Sequence, residues 1–362
     1  MSKILGKHIP NIIKNIVING DMRIAQRGTS FAAIANATYS LDRWKYIKSG
    51  AMVHTVTQDT DVPSLAQANY LFQNSLRLNL TTPDTSIAAG DFMLISHRIE
   101  GYNFANIAQK KFTVSFWVKA PITGVYCVSG SNTGNDRSFV AEYTVNAINT
   151  WEYKSVTFEA SPSAGTWDYT NGIGLDLKWV LASGSTTNTT AGSWQTGLFF
   201  ATSNQVNAVN TGATDFRIAG VMVNEGSVAF PFQLSGTSVA DEFAACQRYY
   251  EKSYDATVAP GTVVLAGELE YIVVNVPAST AGVLTTPVKY TVPKRIAPTI
   301  VLYSGTSGAA NSITTGAGTA RSGVSAINIQ GINSFGQVAL NNSSAVATGT
   351  IARFQYTADA EL

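Results

Sequence analysis

The side chains able to do chemistry in this chain are few and scattered. Its three histidines, His8, His54 and His97, share no metal-ligand spacing, and none stands beside a candidate nucleophile. The chain has no Gly-x-Ser-x-Gly elbow, no P-loop and no dinucleotide fingerprint. Cys127 and Cys246 form no Cys-x-x-Cys pair and no disulfide framework; Cys246 falls on the apolar side of a predicted helix, so a buried reduced thiol is expected there, consistent with assembly in a cytoplasm. A glycoside-cleaving site needs only two carboxylates brought together by the fold. Asp91, Glu100, Asp136, Glu142, Asp168 and Asp176 are the candidates for such a pair. Structural carboxylates far outnumber catalytic ones, and the chain is read as a non-enzyme that needs no metal or cofactor. His54 and His97 are expected at the surface or partly buried.

Aromatic residues are the better lead. Sugar rings present flat C–H faces that stack on exposed Trp and Tyr, while Asn, Asp and Gln read their hydroxyls. Trp117 lies on the polar face of its strand. Trp167, Asp168 and Tyr169 sit in one turn-rich loop, and Trp194 and Gln195 in another. These six form the candidate glycan-binding set. The competing reading is packing, because Trp buries a large area. Trp179 shares its face with Leu and Ile and is expected in the core.

The elements that must position these residues are strands. Phe112, Val114, Phe116 and Val118 alternate with Thr113, Ser115, Trp117 and Lys119, the pattern of a half-buried antiparallel strand. Ile173, Leu175, Leu177, Trp179 and Leu181 repeat it, with Asp176 and Lys178 expected outward. Residues 216–223 form a further strand. Polar turn clusters at 129–136 and 183–192 separate such segments. Regularly spaced short strands predict an all-β fold with a jelly-roll β-sandwich over residues 18–237.

A linking helix is predicted over residues 238–255, where Ser238 and Asp241 suit a capping box. Phe243, Cys246, Tyr249 and Tyr250 fall near helical spacing, as a packing or oligomer stripe. Residues 256–362 form a smaller C-terminal β-sandwich domain, with strands at 271–276, 288–292, 299–303 and 351–356. Residues 1–17 stand apart as an N-terminal arm. Ile12, Ile13 and Ile16 fit one face of a short helix started by Pro10. That arm either docks on its own domain or anchors the chain in another protein.

Bulk properties narrow the partners. The charged fraction of 13% is half the usual quarter, and 24 basic against 23 acidic residues leave a net charge of +1. No basic stripe supports nucleic-acid or anionic-membrane binding, and low net charge suits an oligomer. The N-terminal segment does not read as a signal peptide, and no apolar run is long enough to span a bilayer.

Several segments resemble known families. Ile16-Val-Ile-Asn-Gly-Asp-Met22 resembles the opening strand of carbohydrate-binding jelly-roll modules. Met22-Arg-Ile-Ala-Gln-Arg-Gly-Thr-Ser30, Leu41-Asp-Arg-Trp44, Asn149-Thr-Trp-Glu-Tyr153, Gly165-Thr-Trp167 and Cys246-Gln-Arg-Tyr-Tyr-Glu-Lys-Ser-Tyr254 resemble tailed-phage and prophage virion proteins. So do residues 112–119, 220–226 and 354–362. The resemblance implies a fibre, tail or head-decoration protein located on the virion, often a homotrimer, that binds host-surface polysaccharide. A purely structural virion protein with no ligand is the alternative, and a glycan-cleaving virion enzyme a weaker one. The arm would join other virion proteins. Jelly-roll modules with structural calcium often carry an acidic pair where this chain has Ala219 and Gly220, and Asp21 alone does not replace it, so calcium is not expected.

Overall fold

The computed structural model describes residues 15–212, 214–273, 283–284, 287–316, 318–322, 324–340 and 349–362. Alternation sets its main layers. Phe112, Val114, Phe116 and Val118 turn inward and are at most 1% exposed. Their strand, Phe112–Lys119, lies between Asp215–Glu225 and Glu152–Phe158 in a six-stranded sheet completed by Ser75–Thr82, Val53–Asp59 and Ser30–Phe31. A seven-stranded sheet faces it, ordered Trp194–Thr196, Arg137–Val145, Gly124–Ser131, Ile173–Ser183, Phe92–Glu100, Trp44–Ser49 and Thr38–Tyr39. Neighbouring strands in both sheets are antiparallel. The two inner faces share one apolar core. Trp179 lies in it, 5.3 Å from Trp44 and 5.9 Å from Phe116 between ring centroids. This is the expected jelly-roll sandwich.

The second, smaller sandwich is built around Ile351–Asp359. That strand is bonded along both edges, by Tyr250–Lys252 and Leu269–Ile272 and by Thr299–Tyr303 and Ser312–Thr315. Phe354, Tyr356 and Leu302 pack against Phe335 and Val338 of a separate four-stranded sheet. Of the expected strands, Thr299–Tyr303 has the predicted limits, while the one expected at 288–292 covers only Val288–Lys289. Residues 274–276, at the end of the first expected strand, lie outside the described residues.

Four expectations need correction. First, the linking helix is Val239–Gln247 only, with the Ser238 hydroxyl accepting from the Asp241 backbone N–H. The following tyrosines suit a strand, and Tyr250–Lys252 finds a ladder partner in the C-terminal strand. Second, the stripe does not face outward. Cys246 and Tyr249 are buried with Ile18 and Ile24, Phe243 packs against that cluster, and Tyr250 lies beneath Arg27. Of the two roles expected for the stripe, packing is the one formed within the chain. Third, Asp176 and Lys178 do lie on the outer face of the seven-stranded sheet but are buried there, Asp176 against Ser96 and Arg98 and Lys178 5.9 Å from the Phe200 ring. Lys178 sits 3.1 Å from Asp176 and donates to the Ser131 hydroxyl at 2.7 Å. Fourth, Ile16 belongs to this chain's own core. The Asn15 side chain beside it bonds Val221 and Val223, fixing the entry of the chain. Ile12 and Ile13 lie outside the described residues.

Both cysteines are buried and free, and burial pushes the Cys127 thiol up to about 11. His54 and His97 are more deeply buried than expected. Burial, helped by nearby Lys48, pushes His54 down to about 4. Burial and the Arg43 charge push His97 down to about 3, against its hydrogen bond with the Ile18 carbonyl. An unfolded chain protonates both rings from about pH 6.5 downward, whereas the folded chain resists. Stability contributed by the neutral rings is present above that pH and is lost as pH falls through the folded values. Urea denaturation at pH 7.5 and pH 5, above most carboxylate titration, should therefore show lower stability at pH 5. Equal stability would contradict neutral burial.

The two sandwiches meet through a buried ionic and aromatic junction. Arg43 is 1% exposed, stacks on the Tyr249 ring at 3.5 Å and pairs with Glu361. Arg27 stacks on Tyr250 at 3.7 Å and pairs with Asp359 at 3.1 Å and Glu361 at 3.4 Å. Glu361→Gln would leave two guanidiniums short of a buried counter-charge, so a loss of about 3 kcal/mol is expected in chemical denaturation. A loss below about 1 kcal/mol would show that the junction does not depend on this carboxylate.

Candidate functional site

A cavity with an aromatic lining lies on the outer face of the six-stranded sheet. Register places Tyr153 opposite Trp117 on one side and Ala219 opposite it on the other. The Trp117 and Tyr153 rings are 5.4 Å apart at 54°. Beyond Ala219 the ladder slips, and Gly220 takes φ 59° there. A Cβ on Gly220 would lie 2.4 Å from the Phe72 ring. Glycine is required at this bulge for Phe72 to lie against the sheet.

Two segments wall the site. One contains the short helix Leu65–Ala68, closed by a reciprocal Ser64–Gln67 capping box and ended by Asn69 in the left-handed region. The other is residues 228–232. Tyr70, Phe72 and Phe232 join the walls, with ring centroids 4.6 to 5.2 Å apart. They enclose about 340 Å³, lined by Trp117, Tyr153, Phe230 and Phe232 with Gln67, Asn69 and Ser115. Trp117 is 9% exposed and Tyr153 45% exposed, so one ring forms the floor and the other the accessible rim.

A charge network anchors the sheet beside this groove. Lys119 meets Asp61 at 2.6 Å, Arg77 meets Asp215 at 2.7 Å and Arg217 meets Asp59 at 3.2 Å. The Trp151 indole donates to Asp61 at 2.9 Å and packs in the same cluster as Trp117. Partial burial raises the Asp61 pKa, but hydrogen bonds from Lys119 and Trp151 outweigh it and hold this carboxyl below its ordinary range.

The other candidates gather elsewhere. Trp167, Tyr169 and Trp194 cap one end of the sandwich. Trp167 stacks on buried Phe104 at 5.6 Å and meets Trp194 edge-on at 5.5 Å, and Trp194 packs on Phe139 at 5.6 Å. Their indole N–H groups donate to the Ala164 and Glu159 backbone carbonyls of neighbouring exposed segments. Asp168 accepts from the Thr170 amide and hydroxyl, and Gln195 donates to Ser193. These contacts are those of a core cap. The cap lies near Phe112, five residues along the strand from Trp117, or about 17 Å at the rise of a strand. The structure thus separates Trp117 from the other five. Alternation pointed to Trp117, but not to Tyr153, Phe230, Phe232, Gln67 and Asn69. The Trp151/Tyr153 alternation and the Phe230-Pro-Phe232 triplet were the available signals.

No candidate carboxylate lines the groove. Each is engaged elsewhere: Asp91 with Ser49, Glu100 with Arg248 and Tyr249, Asp136 with Thr166, Glu142 with Asn204, Asp168 with Thr170 and Asp176 with Lys178. Asp21 pairs with Arg23, and burial raises its pKa despite that partner. Among the described residues, no group of three or more His, Cys, Asp or Glu is placed to hold a metal ion. A second cavity of about 370 Å³ lies between the linking helix and the sandwich. Its Glu100 and Arg248 pair at 2.6 Å, leaving a mutually satisfied wall.

No family model and no curated protein matches this sequence. Among solved structures, a CBM4 structure aligns over 58% of this chain and 99% of its own, at 13% identity and TM-score 0.30. The family 11 carbohydrate-binding module of cellulase Lic26A-Cel5E of Clostridium thermocellum aligns over 56% and 98%, at 9% identity and TM-score 0.31. A CBM22 tandem from Paenibacillus barcinonensis Xyn10C aligns over 92% and 99%, at 9% identity and TM-score 0.25. The jelly-roll architecture rests on the chain's own two facing sheets.

The two aromatic sets should respond differently to truncation. Trp194→Ala removes a ring packed on the core and should cost about 2 kcal/mol or more. Tyr153→Ala removes a rim side chain and should cost less than about 1 kcal/mol. Thermal and urea denaturation of both variants checks this, and equal losses would erase the distinction between cap and rim.

Proposed function

We propose that this chain is a non-catalytic carbohydrate-binding protein whose ligand lies in the groove above Trp117 and Tyr153. The observation that supports this is the cross-strand ring pair at the base of a walled cavity with amide and hydroxyl groups on its sides. Apolar ring faces meet sugar C–H faces, and the polar groups meet hydroxyls. The phage-protein resemblance suggests the setting: a module of a virion fibre, tail or decoration protein, assembled in the host cytoplasm and presented to host polysaccharide. A trimer in that setting would use surfaces other than the Cys246 and Tyr249 stripe.

The test is calorimetric titration of the full chain with soluble polysaccharides, alongside Tyr153→Ala. Binding by the parent chain, weakened about tenfold in the variant, is expected. Equal binding by both would move the site away from the groove. Shortening of the polysaccharide during incubation would overturn the non-catalytic reading. Purified protein should also compete with phage for adsorption to host cells, and failure to compete would argue against the receptor-binding setting.

A further inference from the structure

We infer that the groove selects an uncharged glycan segment, built of neutral sugars, and rejects uronic and sialic acids. This rests on the groove being the glycan site and adds the class of sugar it accepts. No residue lining the cavity carries a charge at neutral pH: its polar lining is Gln67, Asn69, Ser115 and the Tyr153 phenol. An acidic sugar entering it would leave water without meeting a cation, an unfavourable transfer.

The cations around the groove do not remedy this, because each already holds a carboxylate. Lys119 pairs with Asp61, Arg217 with Asp59 and Arg77 with Asp215, while Arg23 pairs with Asp21 and donates to the Tyr70 hydroxyl. Recruiting any of them to a sugar carboxylate would strip a partly buried protein carboxylate of its partner. The network therefore stabilises the sheet without lending positive potential to the site.

What remains suits hydroxyl groups. Gln67 uses its side-chain oxygen in the helix cap, where it accepts from the Ser64 amide at 3.0 Å, which leaves its NH₂ group as a donor. The Asn69 amide and the Ser115 hydroxyl have no side-chain partner among the described residues. Together they supply donors and acceptors that a neutral polyol satisfies in both directions, above an aromatic floor. A carboxylate, which only accepts, would leave the Asn69 oxygen and the ring faces opposed to negative charge.

The experiment titrates the full chain and Tyr153→Ala with two sets of polymers: neutral ones (mixed-linked β-glucan, xylan, galactan) and acidic ones (polygalacturonate, alginate, polysialic acid). The expected result is binding of at least one neutral polymer, lost by about tenfold in Tyr153→Ala. Its affinity should change less than about twofold between about 50 and 500 mM salt, because no ion pair forms with the ligand. Tight, salt-sensitive binding of an acidic polymer that also depends on Tyr153 would overturn the inference while leaving the groove as the glycan site. Acidic and neutral polymers bound equally well would overturn it too. Gln67→Ala, at an exposed position, should weaken neutral-polymer binding several-fold with the fold intact; unchanged affinity would remove the amide from the selection. If no polymer of either kind binds the folded chain, the carbohydrate reading itself fails.

Discussion

The structure depends on two buried guanidiniums. Arg27 and Arg43 each press a flat face onto a tyrosine ring and turn a polar edge toward the carboxylates of the last strand. A charge taken from water needs its partners fixed in place, or the cost of desolvation dominates. Here the partners come from every major part of the chain: the opening segment, the link after the helix and the end of the second sandwich. Arg248 extends the contact, holding Glu100 at 2.6 Å while the Tyr249 hydroxyl donates to the same carboxylate at 2.5 Å. Arg295 adds bonds to the Asn171, Ala360 and Glu361 carbonyls. Two sandwiches that could have been joined by a flexible link are instead keyed together.

That junction explains a segment whose sequence invites a different interpretation. Phe243, Cys246, Tyr249 and Tyr250, near helical spacing, read as one packing or oligomer stripe on a single helix. The helix stops at Gln247; Tyr249 still packs in the Cys246 cluster, while Tyr250 opens a strand. They become platforms for the two arginines. The Leu41-Asp-Arg-Trp44 segment acquires meaning in the same way. Trp44 enters the core beside Trp179, Asp42 accepts from the Gln26 amide at 2.8 Å, and Arg43 reaches the junction. Three consecutive side chains serve three different layers.

Local periodicity identified the strands that carry Trp117 and Trp179, although both turn out buried at nearly every residue rather than at every second one. It placed Trp117 outward and Trp179 inward. It could not show that Asp176 and Lys178 would be buried, since Arg98 reaches Asp176 from a neighbouring strand and Phe200 reaches Lys178 from a later loop. Nor could it assemble the groove. One wall precedes the strand that carries Trp117, and the other follows it by more than a hundred residues. The bulge at Gly220, which lets Phe72 close the space between them, is visible only once the ladder register is known. Trp167 and Trp194 looked equivalent to Trp117 because all three occur in polar sequence. They differ in what lies beneath them, which sequence spacing does not record.

The low charge content takes on a specific meaning in this arrangement. In a chain with 13% charged residues, many cations are committed to the interior or to partly buried pairs. Arg43 is 1% exposed, and the Lys294 side chain is 0% exposed where it meets Glu251 at 2.5 Å. Arg217 and Lys119 lock the sheet that carries the groove. Charges used in this way fix geometry, since each demands a partner at a defined place. They also withdraw from the surface the groups that would otherwise attract ions. The same pairing that makes the sheet a firm support leaves the aromatic groove electrically quiet. A glycan held there, as proposed, would meet ring faces, amides and hydroxyls, so shape and hydrogen bonding rather than long-range attraction would decide whether it stays.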